Sequence, residues 1–243
     1  MGNAGRRARC GARDWLRRSL LGAAVVLLLP GVGRSQELKV IQLSPPDKTR
    51  GLPFMETLSV KASAREWAET DLSLQDLSDL LWAANGVNRP EERKFTASSA
   101  MNAHDVDLYV FMKDGAFVYD ADAHALKQVL PGDFRSVAMM TPPPRPPDAS
   151  GAPPPPAPAP SNPPVQIVLV SDSTRFRAGT EEQRYEWGAI DTGIVSQNIS
   201  LFCAATGLKT RPRASMDKEK IRSLLGLADT QHVFLNHPVG YAK

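Results

Sequence analysis

Between Tyr185 and Gly207 the chain reads YEWGAIDTGIVSQNISLFCAATG, with apolar residues recurring at helical spacing. Ile190, Ile194, Leu201 and Ala205 form one stripe, while Val195, Ile199, Phe202 and Cys203 cover much of the remaining circumference. A helix that is apolar nearly all round is a buried one, so this stretch is expected to be the core helix of the domain. Gly188, Ala189, Gly193, Ser196, Ala204 and Ala205 are small enough to let neighbouring backbone approach closely. Gly207 tolerates positive φ and so supplies a C-terminal stop. Asp191, Gln197 and Asn198 interrupt the apolar pattern and need hydrogen-bond partners if buried.

A second helix is marked by Ser73-Leu74-Gln75-Asp76, a near capping box, followed by Leu77, Leu80, Leu81 and Ala84 at helical spacing and closed by Gly86. Val106–Phe111 and Ala116–Tyr119 read as two strands joined by a Lys113-Asp114-Gly115 turn, a β-hairpin. Val165–Val170 is a strongly β-branched strand, expected to be central. A loop over Lys209–Met216, a short helix over Asp217–Leu227 and a last strand over His232–Leu235 follow. Residues 36–60 read as mostly extended, with Pro45, Pro46 and Pro53 breaking any helix, and residues 87–105 as a polar loop. The order of elements predicts an α+β fold: a mixed sheet with helices packed on it, around a buried central helix. No internal repeat is visible. Residues 142–164 are nearly all Pro, Ala and Ser and predict an extended, polyproline-like excursion that composition alone would make an interdomain linker.

Charge changes the picture at the N-terminus. The formal net charge is +3, but residues 1–35 hold seven Arg and one acid, leaving 22 bases against 25 acids in the rest. The remainder is mildly acidic, which gives no argument for nucleic acid. Six Arg between Arg6 and Arg18 precede the 13-residue apolar run Leu20–Val32, which suits a signal-peptide core and is short for a span of about 20 residues. Residues 1–35 therefore read as an export signal placing the mature protein in the periplasm with no stable membrane span. Arg17-Arg18-Ser19-Leu20-Leu21 fits a twin-arginine signal, with an ordinary secretory signal or an uncleaved anchor as alternatives.

Candidate chemistry is sparse. His104, His124, His232 and His237 are scattered without metal-ligand spacing, so no metal site is expected. There is no Gly-x-Ser-x-Gly elbow and no phosphate-binding Gly-rich loop. Cys10 lies in the export segment, and Cys203, in the apolar helix, reads as an inert buried thiol. Lys61-x-Ser63-x-Arg65 remains. If extended, its alternate residues share a face, so two cations and a hydroxyl converge on one anion such as a phosphate; a solvated basic loop is the alternative.

Four stretches in this order resemble the nitroreductase-like flavoproteins, which bind FMN, over roughly Leu58 to the C-terminus. They are VKASAREW, LSLQDLSDLLWAANGVNR, TASSAMNAHDVDLYV and GIVSQNISLFCAATGL. The resemblance implies that Lys61, Ser63 and Arg65 contact the FMN phosphate and ribityl chain. It implies that Ser98, Ser99 and Asn102 reach the flavin from the other subunit of a homodimer, and that the backbone at Ala214 and Ser215 lies beside the flavin N5 edge. Ala97 replaces the usual Pro, Ser215 stands where Gly is common, and the C-terminal basic pair of many members is absent, Lys243 being its only stand-in. The domains then read as an export segment 1–35, an extension 36–57 and a domain 58–243, with the Pro-rich stretch 142–164 an insertion in a surface loop, tolerable because closure entropy grows slowly with length. The expected activity is an exported FMN-dependent oxidoreductase passing hydride to a small acceptor such as a nitroaromatic or quinone, with NAD(P)H or another reductant as donor. The alternative is a non-catalytic or peptide-binding member of the same fold. Hydride transfer itself demands no acid–base side chain, so no catalytic residue is assigned; His104 is a candidate proton donor.

Overall fold

The computed structural model describes residues 38–139 and 163–243. The export signal lies outside the described residues, as does nearly all of the Pro-rich stretch. Ser73 caps the first long helix, α2 (Leu74–Asn85), accepting the Asp76 N–H, and Gly86 ends it. It is preceded by a strand β1 (Val40–Gln42) and a seven-residue helix α1 (Phe54–Val60). The helix α1 corrects the expectation of extended chain over residues 36–60. Pro53 sits at its N-cap, where a missing N–H and a fixed φ of −53° do no harm, so this proline starts a helix instead of breaking one.

A small hairpin of β2 (Val87–Arg89) and β3 (Lys94–Phe95) leads to the predicted hairpin, β4 (Val106–Met112) and β5 (Gly115–Asp120). Its turn is Lys113-Asp114, with Gly115 already paired to Met112. A further strand, β6 (Ala125–Pro131), was not legible, because its ALKQVLP alternates weakly and buries the polar Gln128. Then come β7 (Val165–Asp172), α3 (Glu181–Thr206), β8 (Lys209–Thr210), α4 (Lys218–Leu225) and β9 (Gln231–Gly240), the last longer than expected. Seven strands form one sheet in the order β1-β6-β5-β4-β7-β9-β8. The fold is α+β as expected, but the sheet is not mixed: each pairing is antiparallel. The strands on either side of the Pro-rich stretch share this sheet, β7 pairing with β4.

Alternation along β4 and β7 builds both faces. Leu108, Val110, Ile167 and Leu169 meet Leu80 and Leu81 of α2 and Val195 and Ile199 of α3 in one cluster. Tyr109, Phe111, Val168 and Val170 meet Met216, Ile221 and Val233 on the opposite face. A strand buried on both sides reads as a continuous apolar run, which is why β7 was legible as an interior strand.

The core helix α3 begins one turn before the predicted stretch, with Thr180 and Gln183 forming a reciprocal capping box, and stops at Gly207 in the left-handed region (φ 81°). Its buried face differs from the expected stripe. Gly188, Asp191, Thr192, Val195, Ser196, Ile199, Ser200 and Cys203 face the sheet, whereas Ile190 is 55% exposed. Small and hydroxyl-bearing residues pack there because the helix lies close on β7: a Cβ at Gly188 would sit 2.3 Å from Ser171 Oγ. Of the polar interruptions, Asp191 accepts the Ala100 N–H at 2.8 Å, Asn198 donates to the Ala84 carbonyl at 3.2 Å, and Gln197 faces solvent.

Candidate functional site

Lys61, Ser63 and Arg65 lie on the exposed segment that follows α1. That segment is fixed along the outer edge of the sheet. Ala64 N–H donates to the Thr210 carbonyl of β8 at 2.9 Å, and Ala68 N–H to the Tyr241 carbonyl at 3.1 Å. The buried Trp67 indole N–H donates to the Lys209 carbonyl at 2.8 Å. An edge strand of two residues thus has its free side covered by the loop that carries the cations.

Beyond Thr210 the chain passes through Arg211 and Arg213, and Arg213 exchanges two backbone hydrogen bonds with Asn236 at 2.9 and 2.8 Å. Ala214 and Ser215 are exposed, and their backbone N–H groups donate to no described residue. Among the described residues Lys61, Arg65 and Arg211 enter no salt bridge, whereas Arg50 is paired to Asp76 and Asp79. Arg211 Nε is buried with no hydrogen-bond partner among the described residues. Arg213 is pushed below the usual guanidinium range by burial and by Arg211. Cations gathered without counter-ions favour an anionic ligand. Arg211 escaped the sequence reading because it lies in a segment where only the backbone was assigned a role.

Ser98, Ser99 and Asn102 sit on a second loop, running from β3 to β4. Ser98 and Asn102 are exposed; Ser99 Oγ accepts the His104 N–H at 3.0 Å and Asn102 Oδ1 accepts from Lys94 Nζ at 2.7 Å. Met101, Asn102 and His104 all have left-handed φ (53°, 56° and 49°). Asn and His tolerate this region better than Met, and such strain costs on the order of 1 kcal/mol per residue and clusters at working sites. His104 stacks on Phe95 with centroids 4.1 Å apart. Burial, Arg93 and Lys94 lower its pKa, so it is neutral at pH 7 and a poor proton store.

The strained loop is held from below by a pair of buried acids that the sequence reading did not find. Asp191 Oδ2 accepts Ala100 N–H, and Asp105 Oδ2 accepts Ser171 Oγ–H at 2.5 Å. Asp105, Ser171 and Asp191 are all at most 2% exposed. Burial drives the Asp105 carboxyl up to about 7, the Ser171 hydrogen bond opposes the rise, and the facing Asp191 adds to it. Two carboxyls thus face each other under the loop, one just before β4 and one on α3, and the Asp105 side holds its proton well above the usual carboxylate range. The sequence marks Asp191 as a polar interruption that needs a partner if buried, but no local pattern joins it to Asp105, far away in the chain.

The two predicted groups are not in contact: no hydrogen bond or ion pair joins Lys61, Ser63 or Arg65 to Ser98, Ser99 or Asn102 among the described residues. Cys203 is fully buried and burial drives its thiol pKa strongly upward, as expected for an inert thiol. No cluster of His, Cys, Asp and Glu suited to a metal occurs among the described residues, and none of their helices is long and apolar enough to cross a membrane.

The Nitroreductase family model matches residues 59–241. MJ1384, a candidate nitroreductase of Methanocaldococcus jannaschii, is 24% identical over 192 residues, covering 76% of this chain and 89% of that protein. The crystal structure of a candidate nitroreductase from Ralstonia eutropha superposes with a TM-score of 0.73 at 29% identity, over 88% of this chain and 93% of the other. A chain of the E. coli microcin synthetase McbBCD complex, bound to truncated pro-MccB17, shares the fold at 15% identity, with a TM-score of 0.58 over 93% of this chain and 85% of that one. Matched over most of its length, on a fold that its relatives share, the chain belongs to the nitroreductase family.

Proposed function

We propose that this protein is an FMN-dependent oxidoreductase that works as a homodimer and delivers hydride to a small electron acceptor such as a nitroaromatic or a quinone. The observation that carries the reading is a set of cations with no counter-ion among the described residues, Lys61, Arg65 and Arg211, along the edge of β8 beside the exposed residues Ala214 and Ser215, whose backbone N–H groups donate to no described residue. A phosphate monoester suits the cations, and an acceptor atom on a flat ring suits the amides. FMN, when bound, supplies the ring that takes up and gives back hydride.

The chain's own residues would do the rest. Lys61 and Arg65 bind the phosphate, with Ser63 donating its hydroxyl and Arg211 adding a third cation. The amides of Ala214 and Ser215 orient the ring edge. Ser98, Ser99 and Asn102, on a loop that the buried acids hold rigid, would close over the ring of the partner copy. The homodimer is supported by the apolar side chains left on the surface around α1 and α3. Phe54, Met55 and Ile190 are 64%, 74% and 55% exposed, an arrangement that favours burial against another copy. Export rests on residues 1–35 alone and would make the reductant either NAD(P)H or a donor of the outer compartment.

Purified full-length protein tests the reading by its absorbance. A yellow preparation, bleached by dithionite, is expected, and Lys61→Ala, Arg65→Ala and Arg211→Ala should each lower FMN affinity about tenfold, the loss of one charge-assisted hydrogen bond. A colourless protein that takes up no added FMN would overturn the proposal in favour of a non-catalytic or peptide-binding role.

A further inference from the structure

His237 has no place in the reading so far, yet it is the most completely enclosed titratable side chain near the candidate phosphate loop. It lies in β9 between Ile167 of β7 and the β8 edge, with 0% exposure. Its Nε2 is 2.7 Å from Ser196 Oγ of α3, and its Nδ1 is 3.2 Å from Thr210 Oγ1 of β8.

Counting hydrogens assigns the tautomer. The Thr210 hydroxyl has a single hydrogen, which it donates to the Pro238 carbonyl at 2.8 Å. Towards His237 it can therefore only accept, so Nδ1 carries the ring hydrogen. Nε2 is then a lone pair and accepts the Ser196 hydroxyl. One neutral imidazole satisfies all partners in the chain Ser196 → His237 → Thr210 → Pro238. Protonation would leave Nε2–H and the Ser196 hydroxyl with competing hydrogens. Burial and the nearby Lys61 act in the same direction, lowering the pKa to about 3.

The same Thr210 that receives the imidazole hydrogen offers its carbonyl to Ala64 N–H at 2.9 Å, between Ser63 and Arg65 of the Lys61–Arg65 segment. The β8 strand has two residues only and pairs with β9 through Lys209 and Thr210. Two backbone pairings define its height in the sheet weakly. A side-chain link to α3 through a rigid ring adds the missing constraint.

We propose that His237 is a positioning residue for the anion-binding loop: its neutral ring, clamped between Ser196 and Thr210, sets where Lys61, Ser63 and Arg65 stand relative to α3. This rests on the phosphate reading above. A consequence separates positioning from general stability. A displaced cation loop weakens a ligand that carries phosphate and spares the same ring system without it.

Full-length apoprotein is titrated with FMN and with riboflavin, which lacks the phosphate, by fluorescence quenching. For wild type, FMN should bind at least about tenfold more tightly. In His237→Phe, which keeps an aromatic ring and removes both links, FMN affinity should fall about tenfold while riboflavin affinity changes less than about twofold. His237→Asn, whose amide can still donate to Thr210, should recover much of the loss. Thr210→Val preserves shape and cuts the chain at its other end, so it should reproduce the selective loss even if the phenylalanine variant fails to fold. A wild type that binds the two ligands equally overturns the phosphate reading and this proposal with it. A wild-type preference that survives unchanged in His237→Phe or Thr210→Val overturns the role of His237 alone, as does a parallel loss of both ligands.

Discussion

Replacing Asp105 by Asn tests the buried acid pair directly. Asp105 has an ordinary carboxyl pKa of 3.8 in the unfolded chain and about 7 in the fold. Between those values the native state holds a proton that the unfolded state has released, so unfolding gives up a proton and rising pH favours it. The stability associated with Asp105 is thus whole below about pH 4 and lost as pH climbs through about 7. From about pH 5 to about pH 8 the native carboxyl keeps its proton for roughly two units, at about 1.4 kcal/mol per unit, so about 3 kcal/mol is lost. Asparagine has the same shape. Its oxygen can still accept the Ser171 hydroxyl and its amide can donate to Asp191, with no proton to lose. Other groups pack near the pair: Asp191 on α3, His104 on the loop, and Arg175, whose charge also feels Asp105. All are common to both proteins. Urea unfolding followed by circular dichroism at the two pH values should therefore show the variant gaining about 3 kcal/mol on wild type as pH rises. Two stability curves that run parallel would refute a proton retained on buried Asp105.

Gly188→Ala should destabilise by about 1–3 kcal/mol despite alanine's better helix propensity, because its Cβ would meet Ser171 Oγ at 2.3 Å and that oxygen is tied to Asp105. The double variant with Ser171→Ala should regain part of this in urea midpoints, and an additive pair would contradict the contact. Ile190→Asp, on the 55% exposed face of α3, should shift sedimentation from dimer to monomer at micromolar concentration, and an unchanged profile would move the interface elsewhere.

What could be read from the chain follows the range of the interactions involved. The helix α2 announces itself through Ser73, its leucines and Gly86, all within one turn of one another, and β7 through an unbroken β-branched run. The stop of α3 at Gly207 is equally local. Which side of α3 is buried is not local. Ile190 is the more apolar residue, yet Asp191 and Thr192 face the sheet, because close approach at Gly188 admits only small or hydrogen-bonded neighbours. The mixed sheet failed for the same reason, since strand direction depends on how β7 and β9 return after long excursions. In the candidate site, Lys61, Ser63 and Arg65 stand out in the sequence because alternate residues of an extended segment share a face, and all three are exposed. The pairing of Asp105 with Asp191 and of His237 with Ser196 joins distant parts of the chain, and no short pattern encodes them.

Both loops of the candidate site are referenced to one helix. Asp191 holds the Ser98–Asn102 loop through Ala100, and Ser196 holds the Lys61–Arg65 loop through His237 and Thr210. The two anchors are five positions apart on α3, which is about 7.5 Å along the axis and about 140° around it. The buried polar contacts on α3 are expensive unless satisfied, and their placement makes sense as the means of keeping the two loops in fixed relation to one rigid helix.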